Sequence, residues 1–209
     1  MHLERIVKLS ENRFINTHEC TLVKYTISEE YTMCRDYQIV DKETIQNDSG
    51  LTNMFTRNYS YGLLTNIYSS SVFIIDIDRI PSRLFYDFKH NDSTINEFVS
   101  LYNRTNDGSL SKLKVIISMY KKILGDKIIG VDVYSSSSSG KHVYFVLNAE
   151  YDISGLYSSD LTKLICCNGY LKFVINSGYS NIRVTNKVLK DTPRSVSNIK
   201  LLNKYGSEL

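Results

Sequence analysis

Residues 71–78 read SVFIIDID, an apolar, β-branched run that changes to strict alternation at its end. Such a run predicts a buried strand. Side chains two positions apart on a strand share a face, so Asp76 and Asp78 project together from its carboxyl end. Neighbouring carboxylates repel each other unless a cation lies between them, and Mg²⁺ binds carboxylates together with substrate phosphates. The pattern therefore predicts a metal–nucleotide site; two acids entering a surface loop are the plain alternative.

The segments on either side of this strand predict a mixed architecture. Strand patterns also occur at residues 21–27, 59–65, 128–134, 142–147 and 182–185, and helical spacing occurs at 93–103, 109–124 and 160–174. Residues 91–93 can cap the first helix, and Gly125 can end the second. The strands follow one another as hairpins rather than alternating strictly with helices. This order predicts an α+β fold.

Length and composition limit the class of protein. The chain has 209 residues, 42% apolar and 22% charged, which is typical of one globular domain. No apolar run approaches the roughly 18 residues of a membrane span, and the N-terminus lacks the apolar core of a signal peptide. We therefore expect a cytoplasmic protein without a membrane partner. Cys20, Cys34, Cys166 and Cys167 form no C-x-x-C pair and are expected as reduced thiols; His18 with Cys20 and Cys34 would lack a fourth metal ligand.

Charge is distributed unevenly along the chain. The net charge is +3, but residues 161–209 contain eight Lys or Arg and two acids, which gives that portion +6. A basic region can attract phosphate, although a solvated surface is the alternative. We expect a domain over residues 1–190 and an exposed basic tail over 191–209.

Two further segments carry residues suited to phosphate binding. The turn at 135–142 reads SSSSSGKH, in which Ser139 and the backbone can cradle phosphate oxygens, Lys141 adds a charge and His142 opens the next strand. A serine-rich hairpin with a surface histidine is the alternative reading. In the segment IRVTNK at 182–187, Arg183 and Lys187 alternate onto one face, which suits phosphate or is merely polar surface.

Taken in order, four segments resemble the archaeo-eukaryotic primase superfamily, in its primase–polymerase branch of viral, plasmid and eukaryotic enzymes. They are NYSYGLLT (58–65), FIIDID (73–78), SGKHVYF (139–145) and IRVTNK (182–187). The resemblance extends from residue 58 to residue 187. It implies an RRM-like catalytic core with a smaller N-terminal αβ half packed beside it.

The resemblance also implies an activity, namely template-directed primer synthesis on single-stranded DNA during viral or mobile-element replication. Asp76 and Asp78 would bind two divalent cations, Mg²⁺ or Mn²⁺. His142, with Ser139 and Lys141, would hold the triphosphate of an incoming NTP or dNTP. Arg183 and Lys187 would contact phosphates or the template. A replicative helicase is an expected partner.

One departure from the family pattern concerns a third acid that often precedes the late arginine. The corresponding stretch reads INSGY at 175–179, so Asn176 stands where aspartate is expected. An amide oxygen can bind a metal but adds no charge. Three readings remain open: Asn176 supports weak catalysis, another acid such as Asp132 substitutes, or the protein is an inactive primase-like subunit that binds single-stranded DNA or a replication partner.

Other enzyme classes lack their motifs. The four histidines never flank a single apolar residue, as a rolling-circle endonuclease requires, and the sequence has no G-x-S-x-G elbow. A phosphate-binding G-x-x-x-x-G-K-[ST] loop is also absent. Nucleotidyl transfer is the activity that the resemblance to the primase superfamily implies.

Overall fold

The computed structural model describes the backbone of residues 19–27, 33–41, 60–86, 92–106, 108–135, 140–183, 187–189, 192–197 and 200–205. Side chains are described within residues 64–86, 92–106, 108–134 and 140–182. All structural statements below refer to these residues.

The described strands form two antiparallel four-stranded sheets and one hairpin. They are β1 (Glu19–Ile27), β2 (Met33–Asp41), β3 (Ser60–Asn66), β4 (Ser70–Ile77), β5 (Ile128–Ser135), β6 (Lys141–Tyr151), β7 (Tyr179–Arg183), β8 (Lys187–Leu189), β9 (Thr192–Ser197) and β10 (Lys200–Tyr205). The first sheet has the order β2-β1-β3-β7 and the second the order β10-β5-β6-β4, while β8 pairs with β9.

The described helices lie in two groups, one between β4 and β5 and one between β6 and β7. They are α1 (Ser93–Arg104), α2 (Gly108–Leu124), α3 (Ser154–Ser158), α4 (Asp160–Ile165) and α5 (Asn168–Ser177), with a 3₁₀ turn at Gly125–Lys127. The Asp92 carboxylate accepts hydrogen bonds from the backbone N–H groups of Thr94 and Ile95, which begins α1. Gly125 ends α2 at a φ of 55°, a left-handed conformation that favours glycine. None of these helices combines the length and apolar character needed to cross a bilayer.

The core lies where the second sheet meets both helical groups. Phe73 of β4 contacts three aromatic rings, with centroid distances of 5.2 Å to Tyr120, 5.8 Å to Phe145 and 5.0 Å to Tyr157. These four side chains come from β4, α2, β6 and α3, and all are fully buried. Aromatic packing of this kind stabilises the sheet beyond area burial alone. It holds the edge strand β4 against β6, and this strand pair positions the candidate site.

The predicted α+β class is confirmed, and the strands at 59–65, 71–78 and 128–134 and the first two helices lie within one or two residues of their predicted bounds. The single helix predicted over 160–174 is wrong. The chain forms α4 and α5 instead, separated by Cys166 and Cys167 in extended backbone, with ψ of 149° and 123°. The residues of the break are apolar enough to continue a helical pattern, so periodicity did not reveal it.

The basic tail expected over 191–209 is also corrected. Thr192–Ser197 forms β9, and Lys200–Tyr205 forms β10, which pairs with β5 along Val131–Ser135. The last strand in sequence therefore completes the second sheet. These strands show no regular apolar alternation and contain three Lys or Arg, so the sequence predicts a tail here rather than strands.

One metal site considered from the sequence consists of His18, Cys20 and Cys34. His18 lies outside the described residues, so the structure describes this site only in part. The register of the β1–β2 hairpin pairs Cys20 with Val40 and Cys34 with Thr26. The two cysteines therefore lie six positions apart along the hairpin, or about 20 Å. They cannot bind one ion together.

Candidate functional site

The site is built at the carboxyl end of β4, where this strand pairs with the start of β6. Asp76 lies directly opposite His142 in the antiparallel register. Opposed residues share a face, and the His142 Nε2 atom is 3.3 Å from the Asp76 Oδ1 atom. His142 is 5% exposed and the Asp76 side chain 20% exposed. The acid and the imidazole, far apart in sequence, therefore meet on one face of the second sheet.

Residues of β6 alternate across the sheet and hold His142 in place. Val143 and Phe145 are buried in the core on one face. On the other face, the His142 Nδ1 atom lies 3.3 Å from the Tyr144 hydroxyl, and the ring of Tyr134 meets Tyr144 edge-on at 5.2 Å. One ring nitrogen of His142 is thus oriented by Tyr144, while the other faces the carboxylate.

The break between α4 and α5 brings Cys167 to the two aspartates. The Cys167 backbone N–H donates a hydrogen bond of 2.7 Å to the carbonyl oxygen of Asp76. One oxygen from each carboxylate, Asp76 and Asp78, and the Cys167 Sγ atom all lie within 4.8 Å of one another. Burial, followed by a hydrogen bond to Asp78, raises the pKa of the Cys167 thiol above its ordinary value. In this hydrogen bond the thiol donates and the Asp78 carboxylate accepts.

Sequence reasoning missed Cys167. Its neighbour Cys166 and the surrounding apolar residues gave the stretch the pattern of a buried helix, and a helical cysteine there would have faced the core. The adjacent pair of cysteines was the one local signal. The extended backbone at both positions turns Cys166 inward and Cys167 towards the strand end.

The donor set fits a divalent cation. Two carboxylates are the ligands that Mg²⁺ and Mn²⁺ prefer, and they are close enough together that a cation between them would relieve their repulsion. Cys167 adds a softer ligand that must lose its proton to bind, and this favours a softer metal than Mg²⁺. The residues that can hold a metal here are Asp76, Asp78 and Cys167.

Asn176, expected as the replacement for a third acid, lies elsewhere. It is exposed in the last turn of α5, next to Gly178, whose carbonyl accepts a hydrogen bond from the Ile67 N–H beside the start of β4. Cys167 at the opposite end of α5 is the residue near Asp76, and nine helical positions separate it from Asn176, about 13 Å. Asn176 therefore lies at the far end of α5 from Cys167, and its role in the site stays a prediction.

Two other expected residues lie near the site without joining the cluster. Asp132 pairs with Tyr144, so it shares the face of Asp76 but lies two strands away, at about 12 Å. Lys141 precedes His142 and so begins β6 on the other face; its ammonium donates to the Gly140 carbonyl at 3.2 Å. Burial lowers the pKa of Lys141. Asp132 is too distant to substitute for a third ligand of the same ion.

The remaining expected residues are described partly or not at all. Ser139 lies outside the described residues, and only the backbones of Arg183 and Lys187 are described. Arg183 ends β7, whose first residue Tyr179 pairs with Asn66 just before the turn into β4. Because β7 and β4 both start near this turn and contact each other, the backbone of Arg183 lies towards the same end of the molecule as Asp76.

Comparison with known proteins adds no further constraint. No protein-family model matches the chain, and neither curated proteins nor solved structures gave a match. The chemistry of the site is therefore argued from its own residues.

Proposed function

We propose that this protein is a DNA primase/polymerase-type nucleotidyltransferase that uses Asp76 and Asp78 to bind divalent cations. The observation that carries the proposal is the contact between Asp76 and His142, 3.3 Å apart on opposed positions of β4 and β6. The carboxylate pair would supply the cation binding that nucleotidyl transfer needs, and the imidazole on the same face fixes one of these carboxylates. The resemblance of the four ordered segments to primase–polymerases supports the same assignment.

The roles of the residues follow from their positions. Asp76 and Asp78 would hold Mg²⁺ or Mn²⁺, and such cations would lower the pKa of the primer 3′-hydroxyl and offset charge on the leaving pyrophosphate. His142, held between Tyr144 and Asp76, would orient the Asp76 carboxylate towards the cation that binds the triphosphate of the NTP or dNTP. In the reaction, the 3′-oxygen bonds to the α-phosphorus, the bond to pyrophosphate breaks, and the hydroxyl proton leaves to solvent.

The architecture is compatible with an RRM-like catalytic core. The second sheet has helices inserted between β4 and β5 and between β6 and β7, and the first sheet contacts β4 through β3 and β7. In this interpretation, the first sheet belongs to the smaller N-terminal half, and the site opens at the strand ends between the halves. A single-stranded DNA template, nucleotides and a replicative helicase are the partners that this function requires.

A second candidate is a catalytically inactive primase-like subunit that binds single-stranded DNA. The absence of a third acid in the described cluster favours it, because Cys167 stands with the two aspartates instead. A neutral thiol contributes less to holding a second cation than a carboxylate does. The two candidate functions differ in whether the Asp76 and Asp78 carboxylates take part in catalysis.

Primer synthesis on single-stranded DNA with Mn²⁺ or Mg²⁺ separates the two candidates. We expect the Asp76→Asn/Asp78→Asn variant to lose at least about 100-fold in rate, since cation stabilisation contributes several kcal/mol to the transition state. Exposed acids outside the cluster provide a matched control, Glu97→Gln/Asp126→Asn, which should retain wild-type activity. Wild-type protein that makes no more product than the double aspartate variant would establish the inactive subunit.

A further inference from the structure

A basic cleft adjoins the candidate site on the side of Arg79, the residue that follows Asp78. It has a volume of about 880 Å³ and lies between the loop after β4, the end of α1 and the start of α2. Its described lining includes four cationic side chains, those of Arg79, Arg83, Arg104 and Lys112. Serine, threonine and asparagine side chains make up most of the remaining polar lining. This composition suits a polyanion.

Lys112 forms the floor of the cleft. It is 9% exposed, its ammonium donates to the Ser82 carbonyl oxygen, and it lies 4.6 Å from the centroid of the Tyr102 ring. A buried lysine is uncommon without a structural or binding reason. The carbonyl and the ring fix the position of the charge at the base of the cleft, where it contributes to a positive potential.

The start of α2 adds to this potential. Gly108 and Ser109, the first residues of a 17-residue helix, line the cleft, and the first turn of α2 contains no acidic residue. The N-terminal end of a helix presents backbone N–H groups and the positive end of its dipole. Together with the arginines, it makes the cleft wall favourable to phosphate groups.

An exposed aromatic ring lies beside the arginines. Phe85 is 78% exposed, and the guanidinium carbon of Arg83 is 5.6 Å from its ring centroid. A ring this exposed leaves most of its surface open to a ligand. Cationic grooves combined with open aromatic rings are typical of single-strand binding, in which phosphates contact the groove and an unpaired base stacks on the ring.

We propose that this cleft, defined by Arg79, Arg83, Arg104 and Lys112, binds the phosphodiester backbone of single-stranded nucleic acid, with one base stacked on Phe85. The cleft would be the binding site of the DNA template, and in that respect the proposal rests on the proposed function. Binding itself requires neither Asp76 nor a cation. Along the chain, the cleft begins one residue after Asp78.

Anisotropy of a fluorescein-labelled oligothymidylate, measured with EDTA over a range of salt concentrations, tests this proposal. We expect Arg79→Ala/Arg83→Ala to weaken binding about tenfold or more and to reduce the log–log salt slope by about 1.4, because two phosphate contacts are lost. Phe85→Ala should also weaken binding about tenfold, with the salt slope unchanged, since stacking involves no counterion release.

Matched controls distinguish binding in this cleft from binding that depends only on the overall charge of the protein. Lys114→Ala/Lys122→Ala removes two exposed charges of α2 outside the cleft and should bind as wild type does. Arg79→Lys/Arg83→Lys keeps the charge and should bind better than the alanine variant, which guards against a folding defect. Equal affinity of the Arg79→Ala/Arg83→Ala and wild-type proteins would overturn the proposal, as would displacement of the strand by polyglutamate as effectively as by unlabelled oligothymidylate.

The same experiment distinguishes this proposal from the proposed function. Asp76→Asn/Asp78→Asn should bind the oligothymidylate at least as tightly as wild type does, because it loses negative charge near the cleft. Strand binding without primer synthesis would leave the cleft assignment standing and overturn the enzyme. If the Arg79→Ala/Arg83→Ala variant still synthesises primers and binds the template with unchanged affinity, the enzyme proposal would stand and the cleft assignment would be overturned.

Discussion

Burial gives the two adjacent cysteines different chemistry. Cys166 is buried in the core, and burial raises its pKa to about 12, whereas Cys167 is partly exposed beside Asp78. The His142 imidazole is equally confined, between Tyr144 and Asp76. Because burial raises the pKa of the Cys166 thiol, the protonation of this group is linked to stability.

Replacement of Cys166 by alanine should therefore flatten the alkaline pH dependence of stability. The thiol has an ordinary pKa of 9.0, which the fold raises to about 12. The stability it contributes is fully present below pH 9 and is lost as the pH rises towards 12, at about 1.4 kcal/mol per pH unit. Urea unfolding at pH 8 and pH 10 should show a smaller loss for Cys166→Ala than for wild type. Parallel losses in the two proteins would contradict this assignment.

The sequence predicted three members of the site but not the fourth. The alternation at Asp76 and Asp78, and the position of His142 at the start of a strand, follow from strand periodicity, which is a local property. Cys167 reaches the aspartates only because the helix breaks at an apolar pair, a feature set by packing against β4. Asn176 is a candidate only through the resemblance to the primase superfamily, and a family pattern does not say which end of a helix meets a distant strand.

Strand β4 lies at the edge of its sheet, so the backbone groups on its outer side depend on neighbouring helices for hydrogen bonds. Its outer side is protected by α3–α5: the Ile74 N–H donates to the Tyr157 hydroxyl at 3.1 Å, and the Asp76 carbonyl accepts from Cys167. These hydrogen bonds satisfy groups that would otherwise invite another strand. The helices after β6 thus both cover the edge and position the site.

The Asp92 side chain caps the start of α1 and thereby stabilises this helix. Asp92→Ala removes two hydrogen bonds, of 2.9 Å to the Thr94 N–H and 3.2 Å to the Ile95 N–H. We expect a loss of about 1 kcal/mol in the free energy of unfolding, measured by urea denaturation. Glu97→Ala on the same helix removes only a surface ion pair with Lys122 and should change stability by less than about 0.5 kcal/mol. Equal effects of the two substitutions would show that Asp92 does not act as the cap.

At the scale of the whole molecule, the last described strand closes the sheet that carries the site. β10 pairs with β5, which pairs with β6, which positions His142 against Asp76. The strand patterns and helical periods in the sequence predicted most elements between residues 59 and 134. They could not predict that residues 200–205 return to β5, because strand pairing over such a distance depends on the assembled fold.

Truncation after Ile199 should therefore destabilise the protein. It removes β10 and leaves β5 with an open edge. We expect the melting temperature to fall by at least about 5 °C, or soluble aggregates to appear in size-exclusion chromatography. Truncation after Tyr205 keeps β10 and serves as the control, for which wild-type melting is expected. Equal melting temperatures for the two truncations would show that β10 contributes nothing to the sheet.

The order in which the site residues occur along the chain has a consequence for biosynthesis. Asp76 and Asp78 leave the ribosome first, His142 later, and Cys167 later still, yet their side chains meet in one cluster. A nascent chain that has not yet emerged past α4 displays the carboxylates beside an uncovered β4 edge, without the thiol that completes the group. A premature stop codon before α5 would therefore yield a product lacking the assembled cluster, not a weaker version of it.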